Sequence, residues 1–98
     1  MKKIAVLIPA YNASETIGGV ISGVMTHVPI ERIVVVDDGS SDQTSLIAEK
    51  LGARVVKHTE NRGKGAALQT GFDVCVESPF DAVITLDADL QHPPQSIP

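Results

Sequence analysis

The sequence predicts an α/β domain: a Rossmann-like, three-layer fold on a parallel sheet, in the order βαβαβαβ. Two observations carry this reading. Four apolar runs rich in valine and isoleucine recur along the 98 residues, without the polar alternation of half-exposed strands. Between them lie segments whose apolar residues fall at helical spacing, joined by short connections, and that order favours parallel strands with right-handed crossovers.

The first strand is "IAVLI" (4–8). In 14–27, Ile17, Val20, Ile21, Val24 and Met25 fall at i, i+3, i+4, i+7 and i+8, one apolar stripe on a helix. Gly18, Gly19 and Gly23 lower that helix's propensity, so packing must hold it. "RIVVV" (32–36) is the second strand. The second helix, "SDQTSLIAEKLG" (41–52), has Ser41 or Asp42 as N-cap, with Ser40 also in a capping position, and Gly52 as its stop. "ARVVK" (53–57) is the third strand. In "GKGAALQTGFDVCVES" (63–78), Ala67, Leu68, Phe72, Cys75 and Val76 share one helical face, and Pro79 ends it. Ala66, Ala67 and Gly71 are small enough for close packing on a sheet, and Cys75 reads as a small core residue. "DAVITL" (81–86) is the fourth strand.

There is no internal repeat, linker or low-complexity segment. "PPQSIP" at 93–98 reads as the opening of another helix, and a fourth strand with so little after it leaves an open sheet edge. The chain therefore reads as one unit, 1–98, forming the first part of an α/β domain, truncated on its C-terminal side, with self-association expected at that edge.

Composition narrows the function classes. The chain is 43% hydrophobic and 20% charged, ordinary for a globular domain. A net charge of -4 argues against a nucleic-acid partner, whose footprint would be basic. No apolar run reaches the roughly 18 residues of a membrane span. "MKKIAVLIPAY" is too short for a signal peptide and runs into a patterned helix. Cys75 is alone, so no internal disulfide forms and the cytoplasm is the default location.

A parallel open sheet binds ligands outside the carboxyl ends of its strands, where strand order reverses. The segments there are "PAYN" (9–12), "DDGSSD" (37–42), "HTENRGKG" (58–65) and "DADLQH" (87–92), all polar or turn-forming. Asp87 and Asp89 on an extended backbone point to the same side, and two hard oxygens with room for water suit Mg²⁺ or Mn²⁺. A solvated acidic turn has the same letters; the position after a buried strand favours the metal. Asp37 and Asp38 end a strand where a carboxylate accepts from ribose hydroxyls or a base N–H, and two adjacent carboxylates exceed what capping requires. "NRGKG" (61–65) opens a helix as an anion site with Arg62 and Lys64, or is a flexible loop with solvated basic ends. His27 and His58 read as surface residues; His92, beside the acidic pair, is a weak candidate for a phosphate or metal contact.

Taken in order, "IPAYN", "VVDDGSSDQT", "NRGKGAALQTGF" and "LDADLQHPP" resemble the N-terminal, donor-binding half of family 2 glycosyltransferases. The likeness is greatest to the branch that makes polyprenyl- or dolichyl-phosphate sugars, and it covers essentially the whole chain. It implies a GT-A fold, a UDP- or GDP-sugar donor, a divalent metal (Mg²⁺ or Mn²⁺) and inverting transfer. It implies an acceptor such as a lipid phosphate, reached from the cytoplasmic side at the inner membrane face. Carried over by motif, Pro9, Tyr11 and Asn12 line the nucleoside pocket, with the Tyr11 ring on the base. Asp38 contacts base or ribose, Val36 and Gly39 shape that wall, Lys64 lies near the nucleotide, and Ala88 sits within the D-x-D segment against the donor. Asp87 and Asp89 are the D-x-D pair, with Asp89 the surest metal ligand and Gln91 a further one. The sequence departs from the sugar-phosphate branch at Ala13 and Gln95, where that branch often has acidic residues.

The acceptor-activating base of the family is expected beyond residue 98. Two other readings compete: a two-component receiver domain, whose acidic pair would follow the first strand, and a nucleotide-binding remnant without catalysis. A dehydrogenase half is excluded, because no G-x-G-x-x-G follows the first strand.

Overall fold

The computed structural model describes residues 3–78 and 80–88. Four strands form one parallel sheet: β1 (Ile4–Ala10), β2 (Ile33–Asp37), β3 (Arg54–Lys57) and β4 (Ala82–Thr85). Three helices connect them: α1 (Ile17–Met25), α2 (Thr44–Leu51) and α3 (Lys64–Val76), with a 3₁₀ turn at Ile30–Arg32 before β2. The spatial order is β3-β2-β1-β4. The chain thus steps outward from β1 twice, then returns past it to place β4 on the other side.

That reversal explains the layering. α1 and α2 cover one face, against Val6, Ile8, Ile33 and Val35; α3 covers the other, against Ala5, Leu7, Val34 and Val36. Right-handed crossovers put helices on opposite faces when the direction of travel along the sheet reverses. β1 and β2 are buried on both faces, as their unbroken apolar runs predict.

β3 differs from that expectation, whereas β4 stands, among the described residues, at the open edge expected of it. β3 exposes Arg54 and Lys57, and β4 exposes Ala82, Ile84 and Thr85. Each pairs with one neighbour among the described residues. Val83 still packs with the α3 layer, while Ile84 is 48% exposed.

The helices are shorter than their patterns, and two faces are turned. In α1, Ile17, Ile21 and Val24 are buried but Met25 is not. In α3 the buried line is Ala67, Gly71 and Cys75, whereas Phe72 faces outward and Val76 is 80% exposed. The cause is close approach. A Cβ on Gly71 would lie 2.2 Å from Leu7 Cδ1, and Leu7 is fully buried. The small-residue line seats the helix, and the larger apolar residues are carried to its flank. Cys75 lies in this core, and burial pushes its thiol pKa up despite the opposing charge of Arg54.

Gly71→Val should lower unfolding free energy by about 1–3 kcal/mol through overpacking against Leu7. Urea denaturation measures it, and a change within experimental error would mean α3 does not sit this close to β1.

Candidate functional site

A cleft of about 240 Å³ opens at the carboxyl ends of the strands, at the reversal between β1 and β4. Its opening can be traced to hydrogen bonding. β1 and β4 pair as far as Leu7↔Thr85, and the Leu86 N–H closes on the Leu7 carbonyl. β1 and β2 continue to Ala10↔Asp37. Successive residues on a strand point their polar groups to opposite neighbours, so Pro9, two beyond Leu7, faces the β4 side. It has no N–H to offer there. The two strands part at that point and the cleft begins.

Each strand end contributes to the cleft. β1 supplies Pro9 and Ala10 and is followed by Tyr11, the segment after β2 supplies Asp38, and Asp87 follows β4. The loop after β3 and the start of α3 supply Asn61, Gly63, Lys64 and Ala67. The tyrosine ring is about half exposed, and Lys64 Nζ stands 3.8 Å from Asp87 Oδ2. Lys64 is the first residue of α3, so its charge adds to the positive end of that helix.

Asp38 is the buried charge of the site. Its Oδ1 accepts from His58 Nδ1 at 2.7 Å and from the Arg62 N–H at 2.9 Å; its Oδ2 accepts from the Gly63 N–H at 2.8 Å. Burial alone would push the carboxyl pKa up, but the bonds from His58, Arg62 and Gly63 and the charge of His58 outweigh it. The result lies below the ordinary value of 3.8. His58 is therefore no surface residue: its side chain is 5% exposed, with Nε2 2.8 Å from Thr70 Oγ1 on α3. Histidine at a strand end of a ligand-binding sheet was the signal for it. His27 is exposed, as its helix-end position suggests.

Other expected residues sit behind the cleft and are not among its lining residues. Asn12, at φ 49, donates its N–H to Ser40 Oγ and accepts the Ser41 N–H at 2.9 Å. Ser40 thus ties two loops together and does not cap α2. Asp42 does serve the start of α2: Oδ1 accepts the Thr44 N–H and hydroxyl, and Oδ2 accepts the Ser14 N–H. Burial raises the Asp42 carboxyl, and these bonds from Thr44 and Ser14 bring it below the ordinary range. Val36 is fully buried under α3. Gly39, at φ +77, lies so close to the next loop that a Cβ would meet the Glu60 carbonyl carbon at 2.4 Å. Ala88 is buried, and its carbonyl accepts the Thr16 hydroxyl at 2.6 Å. Asp89, Gln91, His92 and Gln95 lie outside the described residues.

Residues 5–98 match the family model described as Glycosyl transferase family 2. An uncharacterized protein of Methanocaldococcus jannaschii is 42% identical over 97% of this chain and 39% of its own length. The UDP-N-acetylglucosamine–dolichyl-phosphate N-acetylglucosaminyltransferase of Methanococcus voltae is 34% identical over 98% of this chain and 45% of its own. The undecaprenyl-phosphate 4-deoxy-4-formamido-L-arabinose transferase of Pectobacterium carotovorum is 37% identical over 100% and 32%. The chain thus spans less than half the length of these relatives. Among solved structures, glucosyl-3-phosphoglycerate synthase from Mycobacterium tuberculosis with UDP superposes at a TM-score of 0.73, 32% identical over 94% of this chain and 35% of that one. The same enzyme with Mn²⁺, UDP and glucosyl-3-phosphoglycerate gives 0.69, 32% identical over 89% and 33%.

Two outcomes follow from the geometry. Gly39→Ala should cost about 1–3 kcal/mol of stability in urea, because both its φ and the Glu60 backbone oppose a side chain. Asp38 holds its proton less tightly when folded than when unfolded. Its stabilisation is complete above the ordinary carboxylate value and is lost as pH falls through the lower native value. Stability measured from about pH 5 down to 2 should fall in that window, and Asp38→Asn should remove its share of the slope while the Asp42 share remains.

Proposed function

The chain belongs to glycosyl transferase family 2, and on that premise we propose that it is the donor-binding half of a transferase acting on a nucleoside diphosphate sugar. The observation that carries this is the cleft itself, which brings an aromatic ring, a buried carboxylate, a helix N-terminus with a lysine and a second carboxylate to one strand reversal. In this reading Tyr11 stacks on the base and Asp38 accepts a base N–H. The start of α3 with Lys64 takes the diphosphate. Asn12, Gly39 and Ala88 act by fixing the loops that carry these groups, and Val36 by seating α3.

A divalent cation, Mg²⁺ or Mn²⁺, fits the donor chemistry. Asp87 offers a hard, half-exposed oxygen at the cleft, and such ions need only one or two carboxylates when phosphate and water complete the shell. Among the described residues no group of three acidic, histidine or cysteine side chains forms an all-protein cage. Asp87, with Asp89 and Gln91, would hold the ion, which supplies charge neutralisation for a leaving diphosphate. The synthase crystallised with Mn²⁺ and UDP supports this choice.

Inverting transfer also needs a group to take the acceptor's proton. Glu60, Asp73, Glu77 and Asp81 do not line the cleft. Asp73 accepts the Gln69 amide on α3, and Asp81 holds the Lys3 N–H at the opposite end of the sheet. We therefore assign the proton acceptor to a part of the enzyme other than these residues. The relatives' names support a polyprenyl or dolichyl phosphate acceptor. Meeting it at a membrane surface from the cytoplasmic side is part of the same proposal. No helix among the described residues is long and apolar enough to cross a membrane. The exposed β4 edge with Ile84 is the proposed surface for self-association.

Titration calorimetry should show nucleotide diphosphate binding that strengthens with Mn²⁺, and Asp87→Ala should remove that gain, at least roughly tenfold, or 1.4 kcal/mol. Equal binding with and without the metal would refute the cation assignment. With a nucleotide sugar and polyprenyl phosphate added, lipid-linked product above the Asp87→Ala background would refute the division of labour. Light scattering should show concentration-dependent association that Ile84→Lys reduces.

A further inference from the structure

The base end of the cleft holds a second buried group behind its carboxylate. An ionised carboxylate offers about four lone-pair positions. Among the described residues three of those of Asp38 are filled: His58 Nδ1 and the Arg62 N–H on Oδ1, and the Gly63 N–H on Oδ2. On the other side of the ring, Nε2 stands 2.8 Å from the Thr70 hydroxyl oxygen, which can donate to it or accept from it. Both side chains of the Asp38–His58 pair are 5% exposed, so water competes little for these bonds. Thr70 belongs to α3, whose N-terminus forms the adjacent cleft wall. The orientation of the carboxylate is thereby tied to the helix beside it.

We propose that His58 is a positioning and specificity-determining residue: by filling Oδ1 it leaves Asp38 one acceptor position, on Oδ2, and so selects a base with a single ring N–H, a uracil-type imide, over guanine. The proposal rests on the nucleoside diphosphate reading above. Guanine presents N1–H and an exocyclic N–H side by side, and satisfying both takes two open carboxylate oxygens. Here the second donor would meet an oxygen that already accepts twice. A buried donor left unmatched is what makes hydrogen-bonding sites discriminate. Uracil presents one N–H between two carbonyls, so one open position suffices. The amide of Asn61, on the same wall, donates to the Asp38 carbonyl at 3.4 Å, and its second N–H is the donor proposed for a base carbonyl.

The test compares UDP and GDP affinities, with Mn²⁺, for the whole chain and for His58→Leu, His58→Gln and Thr70→Val. The parent should prefer UDP by roughly tenfold or more, the scale of one hydrogen bond to a charged group. His58→Leu should weaken UDP binding and bring the UDP-to-GDP ratio close to one. His58→Gln, whose amide still donates to Oδ1, should restore most of the ratio, and Thr70→Val should lower it part of the way. Thr70→Val keeps the shape of the helix side chain and carries the test independently of whether leucine is tolerated at 58. A purely structural role would weaken both nucleotides together and leave the ratio unchanged, and that outcome in both variants overturns the proposal. Equal parent affinity for UDP and GDP overturns the base selection while leaving the nucleotide reading intact. Binding of neither overturns both.

Discussion

One buried charge organises the functional end of this molecule. Asp38 sits just past a central strand, almost out of water, and a carboxylate there is tolerable only if its oxygens are met by donors. Two of the donors are backbone N–H groups of Arg62 and Gly63, so the loop after β3 must fold back over the end of β2. That requirement in turn places the first turn of α3 at the cleft. The third donor, His58, reaches α3 through Thr70. The loops after β2 and β3 are thus drawn into contact, and at Gly39 the approach is close enough to leave no space for a side chain.

The opposite wall depends on a different constraint. Pairing between β1 and β4 ends two residues before Pro9, while pairing between β1 and β2 runs on. A strand reversal alone makes a crevice possible; the proline lowers the cost of parting the strands, because it has no N–H to leave unpaired. Asp87 therefore stands across a gap from Asp38 and is joined to the rest by Lys64 and, through Ala88, by Thr16.

The layers were legible in the sequence because they follow from periodicity. Unbroken valine and isoleucine runs located all four strands, and the strand-end rule located Tyr11, Asp38, Lys64 and Asp87 at one cleft. What the sequence hid depends on neighbours distant in the chain. Burial of β3 was overestimated because an edge strand and a central one share the same letters. The buried face of α3 was misjudged because the approach of Leu7 to Gly71 decides it, and not the count of apolar residues. His58 was read as a surface residue because its partner Asp38 is 20 residues away. Ser40 looked like a helix cap because its tether to Asn12 crosses between loops.

Those tethers have a bearing on how this scaffold can be re-engineered. The segment after β1 is stitched to the segment after β2 by alternating bonds: Asn12 to Ser40 and Ser41, Ala13 to Thr44, Ser14 to Asp42. The segment after β3 is stitched to Asp38 in the same way. A loop grafted singly from a relative would bring half of each stitch and leave polar groups of the other half unmatched. The three segments form one transplantable cassette, and a chimera should keep its stability only when the cassette is exchanged as a whole.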